Sequence, residues 1–278
     1  DVPDFWPDSE NVRNDMLDYA YEIEYFDHHL VKIISELEKN GLLDNTLIVV
    51  TSDNGMPFPR VKGQVYPFDN HLPLAIRWGK GIKNPGRVIN DYFSFSDFAP
   101  TFLEAAGLTE EENSMAPFSG KPWGAVFNDL PNPKPRKHMI IGKERHDVGR
   151  ENDQGYPVRG ILKGNYFYSQ NFKPERWPAG NPETGYLNTD GSPTKTEILN
   201  LKRTDLTSSY WGYSFGKRPH QELYDLENDP QCLINLAYES DYEALKNKLQ
   251  NLLLSDLKKQ GDPRALGQGD VFDQYPYA

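Results

Sequence analysis

Asp53 and Asn54, side by side near the end of the run LIVVTSDNG (residues 47–55), put a carboxylate and an amide carbonyl at one point of the chain. These are hard oxygen donors of the kind that Ca²⁺ or Mg²⁺ selects. The same Asp-Asn-Gly sequence also suits a plain turn, since all three residues favour turns. Lys62 follows nine residues after Asp53, and a loop of that length can fold back so that its ammonium faces the pair. A point cation beside an oxygen-ligated metal can hold a tetrahedral oxyanion, whereas a loop lysine taken alone is usually just solvated. Lys143, Glu144, Arg145, His146 and Asp147 form a second charged run after another short apolar segment. It is either a second contribution to the same pocket or a solvated loop.

Elements able to position these clusters can be read from the apolar pattern. Leu47 to Val50 are apolar without alternation, which predicts a strand buried on both faces, as in parallel sheets covered by helices. Its polar end is then the carboxyl end, where ligand groups collect in open α/β sheets. Leu17, Ala20, Tyr21, Ile23, Leu30, Ile33, Ile34 and Leu37 recur at helical spacing, predicting a helix over about 11–40, stopped by Gly41 and packed by one face on that sheet. His28 and His29 fall inside it and, being adjacent, do not share a face. Strands are predicted over 72–78, 88–95 and 138–142. SDFAPTFLEAAGL reads as a short helix capped by Ser96 or Asp97 and ended by Gly107. Residues 109–137 read as a surface excursion.

The pattern changes near residue 155. Val158–Leu162 and Tyr166–Tyr168, joined by Lys163, Gly164 and Asn165, predict an antiparallel hairpin. A long aromatic insertion over 169–220, with Trp177 and Trp211, shows little periodicity. A strand over 222–226 and a helix over 242–259, with Leu245, Leu249, Leu252 and Leu253 inward, complete a small subdomain. The division expected is therefore 1–154 and 155–278.

A net charge of -11 over 278 residues argues against a polyanion such as nucleic acid as partner. An anionic substrate then needs a local basic pocket. The one cysteine, Cys232, excludes an internal disulfide framework and a cysteine-rich zinc site, and is expected as a small packed residue. No stretch approaches the ~20 apolar residues of a membrane span. The opening DVPDFWPDSE lacks an initiator Met, a basic n-region and an apolar h-region, and looks like the middle of a protein.

GLLDNTLIVVTSDNG, KGQVY before NHLPLAIRW, DFAPTFLEAAG, and ELYDLENDP with NLA together resemble, in order and spacing, the sulfatase family of the alkaline phosphatase superfamily over nearly the whole chain. GKERHDVGRENDQGYPVRGI and the aromatic insertion further resemble its heparan N-sulfatase branch. The resemblance implies an α/β fold: an alkaline phosphatase-like mixed sheet flanked by helices, present here as its second half only, plus a small C-terminal antiparallel β-sheet and helix subdomain. It implies hydrolysis of sulfate esters or sulfamates on a sulfated saccharide of the heparan type, such as N-sulfoglucosamine. The family uses Ca²⁺ and a formylglycine nucleophile made within Cys/Ser-x-Pro-x-Arg. Asp53 and Asn54 match the family's later metal pair and Lys62 its sulfate-holding cation; Arg145, His146 and Asp147 fall where members line the sugar pocket.

The chain departs from that pattern in one large respect. Cys/Ser-x-Pro-x-Arg does not occur: Ser192-Pro193-Thr194-Lys195 lacks the arginine, and Cys232 is followed by Leu233. The nucleophile, the early aspartates and the leaving-group histidine are expected in a missing N-terminal segment, so the chain alone should release negligible sulfate. An exported enzyme, periplasmic or lysosomal in type, is also implied. Two other readings stay open. A phosphodiesterase or phosphonate hydrolase of the same superfamily would normally bring extra metal-binding histidines where Gly55 and Met56 stand. A non-catalytic carbohydrate-binding remnant could use Trp177 and Trp211 as stacking platforms.

Overall fold

The computed structural model describes residues 1–108 and 115–276. Its helices are α1 (Glu10–Lys39), α2 (Pro67–Asn70), α3 (Phe98–Ala105), α4 (Gly124–Phe127), α5 (Pro193–Thr204), α6 (Tyr210–Phe215) and α7 (Glu243–Lys259). Its strands are β1 (Ile48–Thr51), β2 (Leu74–Arg77), β3 (Met139–Lys143), β4 (Val158–Lys163), β5 (Tyr166–Asn171) and β6 (Gln221–Asp225). The chain forms two compact units interleaved in sequence. One comprises Asp1–Ile23, Ser52–Leu72 and the chain from Ile140 on; the other comprises Glu24–Thr51 and Pro73–Met139.

A four-stranded sheet of order β3-β4-β5-β6 organises the first unit. β4 and β5 pair antiparallel from Val158↔Asn171 to Lys163↔Tyr166, and Gly164 supplies the positive φ of 58° that the tight turn requires. β6 continues antiparallel beside β5. The two-residue period sends alternate side chains to opposite faces. Ile161, Tyr168 and Leu223 pack on Leu249, Leu253 and Leu257 of α7. Val158, Phe167 and Tyr224 pack on Val65, Tyr66, Tyr156 and Cys232. A further cluster joins Phe5, Trp6 and Val12 to Phe58, Val61, Tyr186, Ile198 and Phe215. The loop after β1 therefore straddles two cores, with Phe58 and Val61 in one and Val65 and Tyr66 in the other.

In the second unit β1 and β2 pair antiparallel, from Ile48↔Arg77 to Thr51↔Leu74. Trp123 packs edge-on against Phe93 and Phe98 at 5.1 and 5.3 Å. Asp97 is fully buried beside this aromatic group, its carboxylate accepting from Trp123 Nε1.

Several expectations change. β1 is half-buried along its length and antiparallel to its neighbour, rather than doubly buried in parallel pairing; an apolar run fixes a strand but not the direction of its partner. Residues 88–94 are irregular rather than a strand, and Val88 is 85% exposed. Asp97 occupies the N-cap position of α3, as one of the two expected residues, but makes no side-chain capping bond there; Ser94 caps the 3-10 turn Phe95–Asp97 ahead of it, its N–H donating to Asp97 Oδ2 while its Oγ accepts from Ser96 N–H. α1 has the expected span, but Leu17, Tyr21, Ile23 and Ile33 on it are exposed; spacing sets which side is apolar, not what covers it. His28 and His29 are exposed on the same helix. The 169–220 insertion holds α5 and α6, and Ser192 caps α5 by accepting from Lys195 N–H at 3.0 Å. Residues 109–114 of the expected excursion lie outside the described residues. The four-stranded sheet begins at Met139, ahead of residue 155. Cys232 is free and buried. Among the described residues no helix is long and apolar enough to cross a membrane.

Candidate functional site

The turn after β1 is held by its own side chains. Ser52 Oγ donates to the Asn54 carbonyl at 2.6 Å, Asn54 N–H donates to Asp53 Oδ1 at 3.0 Å, and Asn54 Nδ2 donates to the Gly55 carbonyl at 2.7 Å. Asp53 Oδ2 and Asn54 Oδ1 take no part in these three bonds, so the turn reading and the ligand reading coexist. Both oxygens are hard donors and fit Ca²⁺ in kind. They fall short in number, since Ca²⁺ takes about six to eight oxygens and no group of three or more His, Cys, Asp or Glu able to hold a metal occurs among the described residues.

Two glycines bring the rest of the site close. A Cβ on Gly55 would collide with the Phe68 carbonyl oxygen and approach Asp69 Cα to 2.9 Å, so the backbone of α2 presses against the Asp53–Asn54 turn. Gly55 N–H donates to Asp69 Oδ1 at 3.0 Å. Gly63 has φ +74, and a Cβ there would run into the His146 ring. Lys143 Nζ donates to the Gly63 carbonyl. The loop that carries Lys62 thus lies against His146 on one side and is tied to β3 on the other.

Lys62 Nζ pairs with Asp190 Oδ2 at 2.8 Å. That hydrogen bond, together with the charges of Asp190, Asp53 and Asp147, holds the ammonium above its ordinary range despite partial burial. His146 is pushed down, first by burial and then by the charges of Lys143 and Lys62, so its imidazole is neutral at pH 7. Its carbonyl accepts from Asn188 Nδ2. Asp147 sits in a left-handed turn, φ 52°, and accepts from Val148 N–H at 2.7 Å. Burial of the Lys143 ammonium pushes it down to about 7, with Arg150 adding repulsion.

Of the six residues expected from sequence, Asp53, Lys62, His146 and Asp147 therefore act on one another, and Asn54 sits beside Asp53. Arg145 is directed onto the C-terminal segment, where Nη2 donates to the carbonyls of Tyr275 at 3.1 Å and Phe272 at 3.4 Å. A substrate contact through Nη2 would require its release from those carbonyls. Asp69, Asp190 and Asn188 join the site without a sequence signal. Trp177, Trp211 and Tyr186 of the insertion pack edge to face against one another at 6.1–6.4 Å. Tyr186 also stacks on buried Phe215 at 4.5 Å, so these rings anchor the insertion.

Residues 3–108 match the sulfatase family. Along 98% of its length the chain is 27% identical to an ulvan-active sulfatase of Formosa agariphila, covering 43% of that protein. Over the same share it is 25% identical to human N-sulphoglucosamine sulphohydrolase, covering 53%. It thus spans about half the length of these relatives. One solved structure, of a protein in complex with its substrate D-glucosamine-2-N,6-O-disulfate, superposes with a TM-score of 0.54 over 86% of this chain and 40% of that one, at 21% identity. A phosphonate monoester hydrolase of Agrobacterium radiobacter superposes with a TM-score of 0.57 over 84% of this chain and 39% of its own, at 21% identity. These likenesses give the mixed α/β fold with helices flanking its sheets.

Proposed function

We propose that the chain, whose residues 3–108 match the sulfatase family, forms the metal- and sulfate-facing part of a hydrolase acting on sulfate esters or sulfamates of a saccharide. The observation that carries this reading is the mutual placement of Asp53, Asn54 and Lys62, with the ammonium feeling the Asp53 charge. Asp53 and Asn54 would hold Ca²⁺, which when bound would neutralise charge on sulfate oxygens. Lys62 binds a sulfate oxygen once it leaves Asp190. Neutral His146 exchanges hydrogen bonds with sugar hydroxyls, and Asp147 accepts from them. Arg145 reaches an acidic group of the sugar after releasing its backbone carbonyls.

We favour N-sulfoglucosamine of heparan type, a reading supported by the name of the human relative and by the glucosamine disulfate bound to one structural neighbour. The formylglycine nucleophile that the family implies has no Cys/Ser-x-Pro-x-Arg context among these residues, so the 278-residue chain alone releases negligible sulfate. Residues 1–154 would then be the C-terminal part of the catalytic domain and 155–278 its sheet-and-helix subdomain, in an enzyme exported from the cytoplasm. The phosphonate hydrolase neighbour favours a second reading, hydrolysis of phosphonate monoesters at the same site.

The test is to express the complete reading frame that contains this sequence, and to measure release of sulfate from N-sulfoglucosamine and glucosamine-6-sulfate beside turnover of a phenylphosphonate ester. Sulfate release is the expected result. Phosphonate turnover without sulfate release would replace the first reading by the second; sugar binding with neither activity would leave a carbohydrate-binding protein.

A further inference from the structure

Asp69 lies outside the residues that the function uses, yet it touches the backbone on both sides of the loop that carries them. It is 8% exposed and sits on α2, whose first residue, Pro67, presets the helical φ. Its Oδ1 accepts Gly55 N–H at 3.0 Å, directly after the metal pair. Gln64 N–H turns back to the Val61 carbonyl at 3.0 Å, and the backbone N–H groups of Gly63 and Gln64, directly after Lys62, favour the charged form of the same carboxylate. Asn70, the next residue, donates through Nδ2 to the carbonyls of Gln64 and Tyr66 at 3.3 and 3.1 Å. From β3, Lys143 Nζ closes the opposite face of the turn by donating to the Gly63 carbonyl. The two ends of the loop are therefore each held by a side chain from outside it, Gly55 N–H by Asp69 and the Gly63 carbonyl by Lys143. Gly55 and Gly63 leave no room for a Cβ, so the backbone itself forms the contact surface.

We propose that Asp69 is a positioning residue that, with Lys143, clasps the 53–63 loop and so fixes the distance between the Asp53–Asn54 oxygens and the Lys62 ammonium. The inference rests on the sulfatase reading only for what that distance serves; the clasp itself is a property of the loop. A buried carboxylate that accepts a backbone N–H is a rigid anchor, because the donor left without it would pay a desolvation cost. Lys62 is long and flexible, so its reach is set by where the backbone at Val61 and Gly63 is held.

The test compares Asp69→Asn, which keeps one acceptor, and Asp69→Ala, which keeps none, in the protein made from the complete reading frame. Hydrogen–deuterium exchange is read in peptides covering 53–66, with the β4–β5 hairpin (158–171) as internal reference. A lost anchor raises exchange in 53–66 about tenfold or more, more for Ala than for Asn, with the hairpin unchanged. In steady state, KM for the sulfated sugar and the Ca²⁺ concentration for half-maximal activity both rise several-fold, while kcat changes less. Unchanged exchange in 53–66 overturns the proposal, as does an increase shared equally by the hairpin. Local loosening with unchanged KM and Ca²⁺ requirement overturns the positioning role. If no sulfate is released by the unaltered protein, the sulfatase reading fails, while the exchange comparison still decides the clasp. Should Asp69→Ala fail to fold, Asp69→Asn gives the same comparison with a smaller shift.

Discussion

Asp69 and Asp97 are buried in different units and do the same local job, gathering backbone N–H groups around a turn, but they are balanced in opposite ways. Asp97 takes both Arg136 Nη1 at 2.6 Å and Nη2 at 2.5 Å, along with Ser94 N–H, Lys121 N–H and Trp123 Nε1. Burial works to raise its pKa, and the Arg136 hydrogen bond with the Ser94 and Lys121 N–H groups outweighs it, so the carboxyl lies below its usual range. Asp69 has N–H donors and the Lys143 charge across from it but no guanidinium fork; burial prevails and its carboxyl lies above the usual range. The first carboxylate stabilises its unit. The second, beside the candidate site, costs stability and sets geometry, a pattern expected where function overrides local economy.

The largest effect that would break this contrast is on Asp97. Asp97→Asn leaves Arg136 facing a buried neutral amide, and unfolding in urea should show a loss of about 3–5 kcal/mol. A loss as small as that of a surface pair would remove the distinction between the two carboxylates. Next, Lys62→Ala in the protein from the complete reading frame should lower kcat/KM for a sulfated glucosamine about 10²–10³-fold, with urea stability nearly unchanged because Lys62 is partly exposed. The pH dependence separates the aspartates by sign. Asp97, with its folded pKa lowered, contributes stability present above its unfolded value of 3.8 and lost as pH falls through the folded value. Asp69, with its folded pKa raised, binds its proton more tightly when folded, so stability falls as pH rises from 3.8 through the folded value. The stability difference between the unaltered protein and Asp97→Asn should therefore shrink on acidification from pH 5 to pH 3, a window chosen to bracket about 3.9, the unperturbed Asp value. Asp69→Asn should be neutral or slightly more stable than the unaltered protein at pH 7, by under about 1 kcal/mol, and lose that advantage at low pH.

What was legible in the sequence was what is local. The span of α1, the β4–β5 hairpin with Gly164 at its turn, and α7 with Leu249 and Leu253 inward all follow from periodicity and turn chemistry within a few residues. α5 carried a readable signal in Ser192 and Pro193, an N-cap followed by proline at the first helical position; the low periodicity of the segment around it obscured that signal. Residues 88–94 have apolar character, but a strand also needs a partner, which no local pattern specifies. The candidate site divides in the same way. Asp53, Asn54 and Lys62 stand in one short segment. Asp190 meets Lys62 across a separation of 128 residues, and Asn188 meets His146 across 42, so only the fold of the insertion brings them there. Arg145 stands in the charged run by sequence, but its Nη2 meets carbonyls near the C-terminus, 127 and 130 residues away, which no local pattern specifies.

The smallest predicted effect concerns the Lys62–Asp190 pair. Lys62 is 30% and Asp190 45% exposed at the side chain, so solvent screens the pair and its net contribution is about 0–1 kcal/mol. The carboxylate nevertheless occupies the ammonium that a sulfate oxygen would take, and the two acceptors compete for one cation. Asp190→Asn removes the charge and keeps the shape. Inhibition by inorganic sulfate should then tighten by no more than about fivefold, the equivalent of the pair's upper limit, with the Asp69 clasp untouched in hydrogen exchange over 53–66. Weaker inhibition would show the reverse relation, that Asp190 holds Lys62 in its binding pose, and would place it with Asp69 as a support of the loop rather than as a competitor for its charge.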